Sequence, residues 1–290
     1  MSVPAAVVAE VAPLLGGTVL DARPVGGGCI SPAARVQGQD GRVGFLKWAS
    51  GDTPAGLFAA EGHGLNALRQ AGAVPVPTVL GVDGDRWLLL EWLEPAPADA
   101  AAWTAFGSGL AALHRSADGA WGWETDNFIG PLPQANAPAA DWPSFWAERR
   151  LAPMLARARR TGHLSAADER RGHALLAALP DLLGPAAVRD GPSLLHGDLW
   201  SGNAHACAAG LALVDPAVYR GHREVDLAMA DLFGGFPEPF WAAYAEAWPL
   251  LEGAARRRAV YQLYYLLVHV ILFGGGYVAR TRAALGQAGF

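Results

Sequence analysis

Between residues 18 and 92, apolar and polar positions alternate in short runs divided by turn residues, the pattern of strands that lay one face on a core. The runs are Thr18–Pro24, Cys29–Gln37, Arg42–Trp48, Thr78–Val82 and Arg86–Trp92. Asp40-Gly41 separates the second from the third, a hairpin signal, and Asp83-Gly84-Asp85 joins the last two. Between the third and fourth, Leu57, Phe58, Leu65 and Leu68 recur at helical spacing and predict a helix from about Pro54 to Ala71. The opening stretch, MSVPAAVVAEVAPLL, reads as an amphipathic helix.

Glu94-Pro95-Ala96-Pro97 breaks this pattern, and beyond it helical periodicity takes over. Helices are predicted at Trp103–His114, Ser144–Arg160, Ser165–Leu179, Pro239–Ala247 and Arg256–Phe273, with a Pro- and Asn-rich loop over Asp126–Asp141 and one β-rich island at Ser193–Asp215. The expected architecture is α+β and bilobal: residues 1–93 form a lobe of five antiparallel strands and one main helix, and residues 94–290 a larger, mainly helical lobe.

Composition narrows the classes. Hydrophobic residues make up 52% and charged residues 17%, which excludes a disordered or coiled-coil chain. The formal net charge is −5, and Arg256-Arg257-Arg258 is followed directly by an apolar stretch, so the broad basic stripe of a nucleic-acid binder is missing. The apolar run Ala259–Phe273 is interrupted by Gln262 and His269 and falls short of a bilayer span. With only Cys29 and Cys207 and no basic n-region, a reducing cytoplasm is the expected location.

The chemistry concentrates at Leu194–Asn203 and at Leu211–Pro216. His196, Asp198 and Asn203 fit the H-x-D-x-x-x-x-N catalytic loop of kinases, and Asp215 follows where a second metal-binding Asp stands. The spacing serves phosphoryl transfer. Asp198 accepts the proton of the attacking hydroxyl, while Asn203 and Asp215 hold magnesium bridging the phosphates of ATP.

The partners lie upstream in the expected order. Lys47, near the end of an apolar strand, suits the contact to the α- and β-phosphates, and Glu61 on the next helix is placed to pair with it. Lys47 is the only lysine in the chain, among 22 basic residues. Where Arg is used everywhere else, one compact ammonium marks a point-charge contact. Gly26, Gly27 and Gly28 suit a phosphate-covering loop, although a hairpin turn explains them equally. Glu91, Trp92 and Leu93 resemble a hinge whose backbone bonds adenine, although a buried strand running into a linker reads the same way. Asp226 is expected to bond the backbone of the catalytic loop from a helix start.

HGDLWSGN at 196–203 and GHREVDLAM at 221–229, with Gly26–Ile30, Ala60-Glu61, Asp126–Gly130, Gln134, Asn136, Asp141-Trp142, Arg149–Leu151 and Asp215–Tyr219, resemble the fructosamine kinase (ketosamine-3-kinase) family. That family belongs to the protein-kinase-like fold and is related to aminoglycoside and choline kinases. The resemblance implies ATP- and magnesium-dependent phosphorylation of the 3-hydroxyl of a small-molecule or protein-bound ketosamine, a deglycation repair activity. It implies roles for Asp198, Asn203, Asp215, Lys47 and Glu61 as given above. One departure is Tyr219-Arg220, where many relatives carry two tyrosines; it is expected near the sugar side.

Two further expectations concern the substrate and assembly. Trp200, inside the catalytic loop, offers an apolar face on which the sugar packs, against the alternative of ordinary core filling. A monomer is expected, with a disulfide-linked dimer through Cys29 as the redox alternative. Rival readings are another small-molecule kinase of the aminoglycoside or choline group, and a non-catalytic ATP-binding scaffold, which would need none of the five site residues.

Overall fold

The computed structural model describes residues 2–26, 31–116 and 119–290. Strands β1 (Val19–Val25), β2 (Ala33–Gly38), β3 (Val43–Trp48), β4 (Val79–Asp83) and β5 (Trp87–Glu91) form one antiparallel sheet in the order β1-β2-β3-β5-β4. At the β2–β3 turn Gly41 takes φ 89°, and Asp40 Oδ1 accepts the Arg42 N–H at 2.9 Å.

Alternation along β3 and β5 sorts the two faces of this sheet. Leu46, Trp48, Trp87 and Leu89 pack with Val7 and Val11 of α1 (Ala5–Val11) and with Leu15. Leu88 and Leu90 join the other core, with Phe58, Leu65 and Leu68 of α2 (Leu57–Ala71). Lys47 is paired with Leu88 across the ladder and therefore projects on the α2 face.

The remainder carries α3 (Ala100–Arg115), the hairpin β6 (Asn127–Ile129) and β7 (Leu132–Gln134), then α4 (Trp142–Phe145), α5 (Ala152–Arg160) and α6 (Ala166–Asp190). Strands β8 (Ser193–Leu195), β9 (Ala204–Cys207), β10 (Gly210–Leu213) and β11 (Tyr219–Gly221) precede α7 (Glu224–Leu232), α8 (Glu238–Ala247), α9 (Ala254–Phe273) and α10 (Tyr277–Gln287). Between Ala259 and Val270 nearly every position of α9 is buried, which is why its sequence is apolar all round. Among the described residues no helix is long and apolar enough to cross a membrane.

Several elements differ from the sequence reading, among them β11, which lies past the expected β-rich island. The 126–141 loop contains the β6–β7 hairpin, whose three-residue strands are too short to show a period. Helix α6 does not stop at Leu179 but continues through Pro180 and Pro185 to Asp190. The buried stripe Leu175, Leu179, Leu183 and Ala187 offsets the cost of two interior prolines. Helix α7 runs on both sides of the helix start expected at Asp226, and α10 lies outside the expected helices. The described face of α10 buries only Thr281, Ala284 and Leu285, a weak apolar signal.

Between α4 and α5 the chain makes a π-helical turn over Trp146–Leu151. Pro153 has no N–H to give the Arg149 carbonyl, and the Arg150 guanidinium bonds that carbonyl instead at 3.1 Å.

Candidate active site

The catalytic loop leaves β8 and is held by its backbone. Asp226, fully buried in the first turn of α7, accepts the His196 N–H at 2.7 Å and the Gly197 N–H at 2.9 Å. The Tyr265 hydroxyl donates to the Gly197 carbonyl at 2.7 Å. His196 is buried; its Nδ1 lies 3.2 Å from the Asp198 N–H and its Nε2 2.8 Å from the Val214 carbonyl. An amide can only donate and a carbonyl only accept, so the ring carries its proton on Nε2. Burial depresses its pKa and keeps it neutral.

This loop, β3 and α2 bring the predicted residues together. Lys47 Nζ lies 2.7 Å from Glu61 Oε1 and 2.5 Å from Asp215 Oδ1. Asn203 Nδ2 donates to the Asp198 carbonyl at 2.9 Å and stands 3.4 Å from both Asp198 Oδ2 and the Asp215 carbonyl. Asp215 is the one non-glycine with positive φ among the described residues, at 54°. That strained backbone turns its carboxylate toward Lys47, and Asp tolerates it better than most side chains.

The electrostatics follow from this crowding. Burial lowers the pKa of the Lys47 ammonium, but the carboxylates of Asp215 and Glu61 together outweigh it and hold the group charged. Burial raises the Glu61 carboxyl, against the pull of Lys47. Asp198 keeps an edge open to the cleft, yet the surrounding protein pushes its pKa up to about 7, with the Asp215 and Asp226 charges adding to the burial. A carboxylate poised there is matched to proton transfer near neutral pH.

Around these groups lies a cleft of about 730 Å³, lined by Lys47, Glu61, Asp198, Trp200, Asn203 and Asp215 and continuing to α9 and α10. Trp200 is half-buried, and its ring lies over Gly202, where a Cβ would stand 2.2 Å from the indole. Gly26 follows β1, whereas Gly27, Gly28 and Cys29 lie outside the described residues. Ser31 lines the cleft.

Glu91, Trp92 and Leu93, expected to form a hinge, are not among the residues of that lining. The Glu91 N–H donates to the Thr78 carbonyl at 2.8 Å, and the Glu91 carboxylate accepts from the Thr78 amide and hydroxyl. The Trp92 indole donates to Glu94, and the Leu93 carbonyl lies 3.1 Å from His205 Nε2. Arg220, expected near the sugar side, is not among the residues that line this cleft. It pairs with Glu124 at 2.9 Å and lies over Trp123 beside Gly119 and Pro138, in a separate depression.

Sequence reading gave no role to the buried polar network under the loop. Asn127 Nδ2 donates to the Val218 carbonyl at 2.8 Å, and Gln134 Nε2 donates to Asn127 Oδ1 at 2.8 Å. Arg150, fully buried, donates to Ala135 O and Asn136 Oδ1 and lies 4.1 Å over the Tyr219 ring. These side chains brace the segment after Asp215. Their polar character inside an apolar surround was the available signal. Asp190, His222 and Glu224 also cluster, but Arg223 and Arg257 already occupy their carboxylates.

A family model for fructosamine kinase matches residues 7–288. The probable ketoamine kinase of Thermus thermophilus is 41% identical over 91% of this chain and 92% of that protein. The chloroplastic protein-ribulosamine 3-kinase of Arabidopsis thaliana is 35% identical over 87% of this chain and 78% of its own. A solved structure from Thermobifida fusca, provisionally named fructosamine-3-kinase, superposes with a TM-score of 0.88 at 40% identity, covering 97% of this chain and 98% of that one. The choline kinase LicA of Streptococcus pneumoniae, at 15% identity and a TM-score of 0.61 over 98% of this chain and 97% of that one, shares the fold alone. The family match and these likenesses agree over nearly the whole length: the chain belongs to the fructosamine kinase family.

Proposed function

We propose that the chain transfers the γ-phosphoryl group of ATP to the 3-hydroxyl of a ketosamine, with Asp198 as the base. The observation that carries the reading is the convergence of Lys47, Glu61, Asp198, Asn203 and Asp215 on one cleft. Residues 1–93 act as the nucleotide lobe and residues 94–290 as the acceptor lobe. The enzyme works as a monomer in a reducing cytoplasm, in keeping with a chain that carries only two cysteines.

In the reaction the hydroxyl oxygen bonds to the γ-phosphorus, the bond to the β-phosphate's bridging oxygen breaks, and the hydroxyl proton passes to Asp198; ADP leaves. Asp198 Oδ1 accepts no hydrogen bond from the described residues and is open to receive that proton. Lys47, ordered by Glu61, positions the α- and β-phosphates. Asn203 Oδ1 and Asp215 Oδ2 likewise accept nothing from the described residues, and hard oxygens in this setting suit magnesium. A magnesium ion held by these oxygens would supply charge neutralisation at the phosphates. The 3-phosphorylated product releases the free amine, which makes the activity a deglycation.

Incubation with ATP, magnesium and a ribulosamine of lysine should yield ADP and the 3-phospho product, and Asp198→Asn should abolish transfer. Phosphate transfer to choline or an aminoglycoside but to no ketosamine would refute the substrate assignment.

A further inference from the structure

The cleft does not end at Asp198. Past Trp200 it runs on to Phe233, His269, Phe273 and Tyr277, at the end of α7 and on α9 and α10. The His269 ring stands 4.9 Å from that of Phe233 and 4.8 Å from that of Tyr277. Its Nδ1 lies 2.8 Å from the Tyr265 carbonyl and so carries the proton. Burial first, and the nearby Arg280 charge last, depress its pKa and keep the ring neutral. These walls accept methylene groups and aromatic contact, and give no counter-charge to a carboxylate lodged against them.

One cation stacks against these walls from outside the lining. Arg280, on α10, has its guanidinium carbon 5.3 Å from the Phe233 ring centroid and 6.0 Å from that of Tyr277, both cleft-lining rings. Its Nη2 donates to the Leu232 carbonyl at 2.8 Å, which together with the stacking orients the fork. Among the described residues no carboxylate pairs with it, and it is exposed. An oriented guanidinium with donors to spare, stacked on two rings of an uncharged stretch of the cleft, is suited to a carboxylate at the far end of the acceptor from the sugar.

We propose that Arg280 determines specificity for the amine half of the acceptor, binding the carboxylate of an amino acid whose side-chain amine carries the sugar. The inference rests on the ketosamine reading. In a lysine glycated on its ε-amine, four methylenes separate that amine from the α-carbon, so the stem lies along the aromatic walls and the carboxylate emerges near Arg280. A sugar on the α-amine instead places the carboxylate directly against the neutral walls. The preferred substrate is therefore the free ε-linked amino acid, ahead of its amide and of the α-linked isomer.

The test compares the ε-ribulosamine of Nα-acetyl-lysine with the same compound as its methylamide. Wild type should show a KM about fivefold lower for the acid, the range of a partly exposed ion pair. Arg280→Gln should remove the difference by raising the KM of the acid alone, and Arg280→Lys should keep part of it. Equal KM values in wild type, or equal rises for both substrates in Arg280→Gln, overturn the inference while the ketosamine reading stands. Transfer to neither compound by wild type overturns both.

Discussion

Gly197 faces the carbonyl oxygen of Ala217 so closely that a Cβ on residue 197 would stand 2.0 Å from it. Its φ of 82° is equally closed to side chains. The position follows the histidine of the catalytic loop, where regulated protein kinases carry an arginine that answers a phosphorylated activation loop. Here the backbone admits only glycine, so that switch has no place. Gly197→Ala should cost more than about 2 kcal/mol in denaturant unfolding. Phosphatase treatment should leave kcat unchanged; a wild-type-like stability for Gly197→Ala would count against the packing argument.

Lys47 joins β3 to α2 and to Asp215 through two contacts that a point charge satisfies at once. Lys47→Met should lower kcat/KM by about 10²–10³-fold, the usual scale for losing one preorganised charge contact. Lys47→Arg should not restore it, because the longer planar fork does not fit between Glu61 and Asp215. Full activity in Lys47→Arg would show that only net charge matters.

Asp198 titrates near 7 because burial, then Asp215 and Asp226, disfavour its anion. The folded protein holds this proton more tightly than the unfolded chain does. Its contribution to stability is therefore greatest below about pH 4 and declines as pH rises toward about 7. Carbon-13 carboxyl titration of the ligand-free protein should place Asp198 near 7. Bound magnesium should lower that value, and with it the acid limb of kcat. An ordinary carboxylate value in the free protein would remove the burial argument.

Trp200 lies over Gly202 and also lines the cleft beside Asp198. If its ring packs the sugar, Trp200→Ala raises KM for the ketosamine by at least about tenfold and leaves KM for ATP nearly unchanged. Parallel rises for both substrates would mean that the ring only supports the loop.

Asp168 caps α6 through Ser165 and takes a two-point contact from Arg282, at 2.9 Å from both Nε and Nη2. Arg282 first, then Ser165, hold its pKa well below the usual carboxylate range, although desolvation opposes them. A depressed carboxylate stabilises the fold above its unfolded pKa and loses that effect as pH falls through its folded value. Asp168→Asn should cost about 1–2 kcal/mol at pH 7. The gap to wild type should close progressively below about pH 4, and a gap constant with pH would refute the ionic account.

The sequence by itself determined whatever short-range periodicity and spacing encode. The five strands and α2 were legible because turn residues divide the strand runs and α2 buries one helical face, and Asp198 and Asn203 because they stand five residues apart in one segment. Lys47 and Asp215 are 168 residues apart, and only packing of β3 and α2 against the catalytic loop brings their charges to 2.5 Å. The same holds for the exclusion of side chains at Gly197, the raised pKa of Asp198, the removal of Arg220 from the cleft and the stacking of Arg280 beside it. Each depends on which distant groups become neighbours and on how much water they exclude. Local pattern carries no record of either quantity, because burial and field strength are properties of the assembled core.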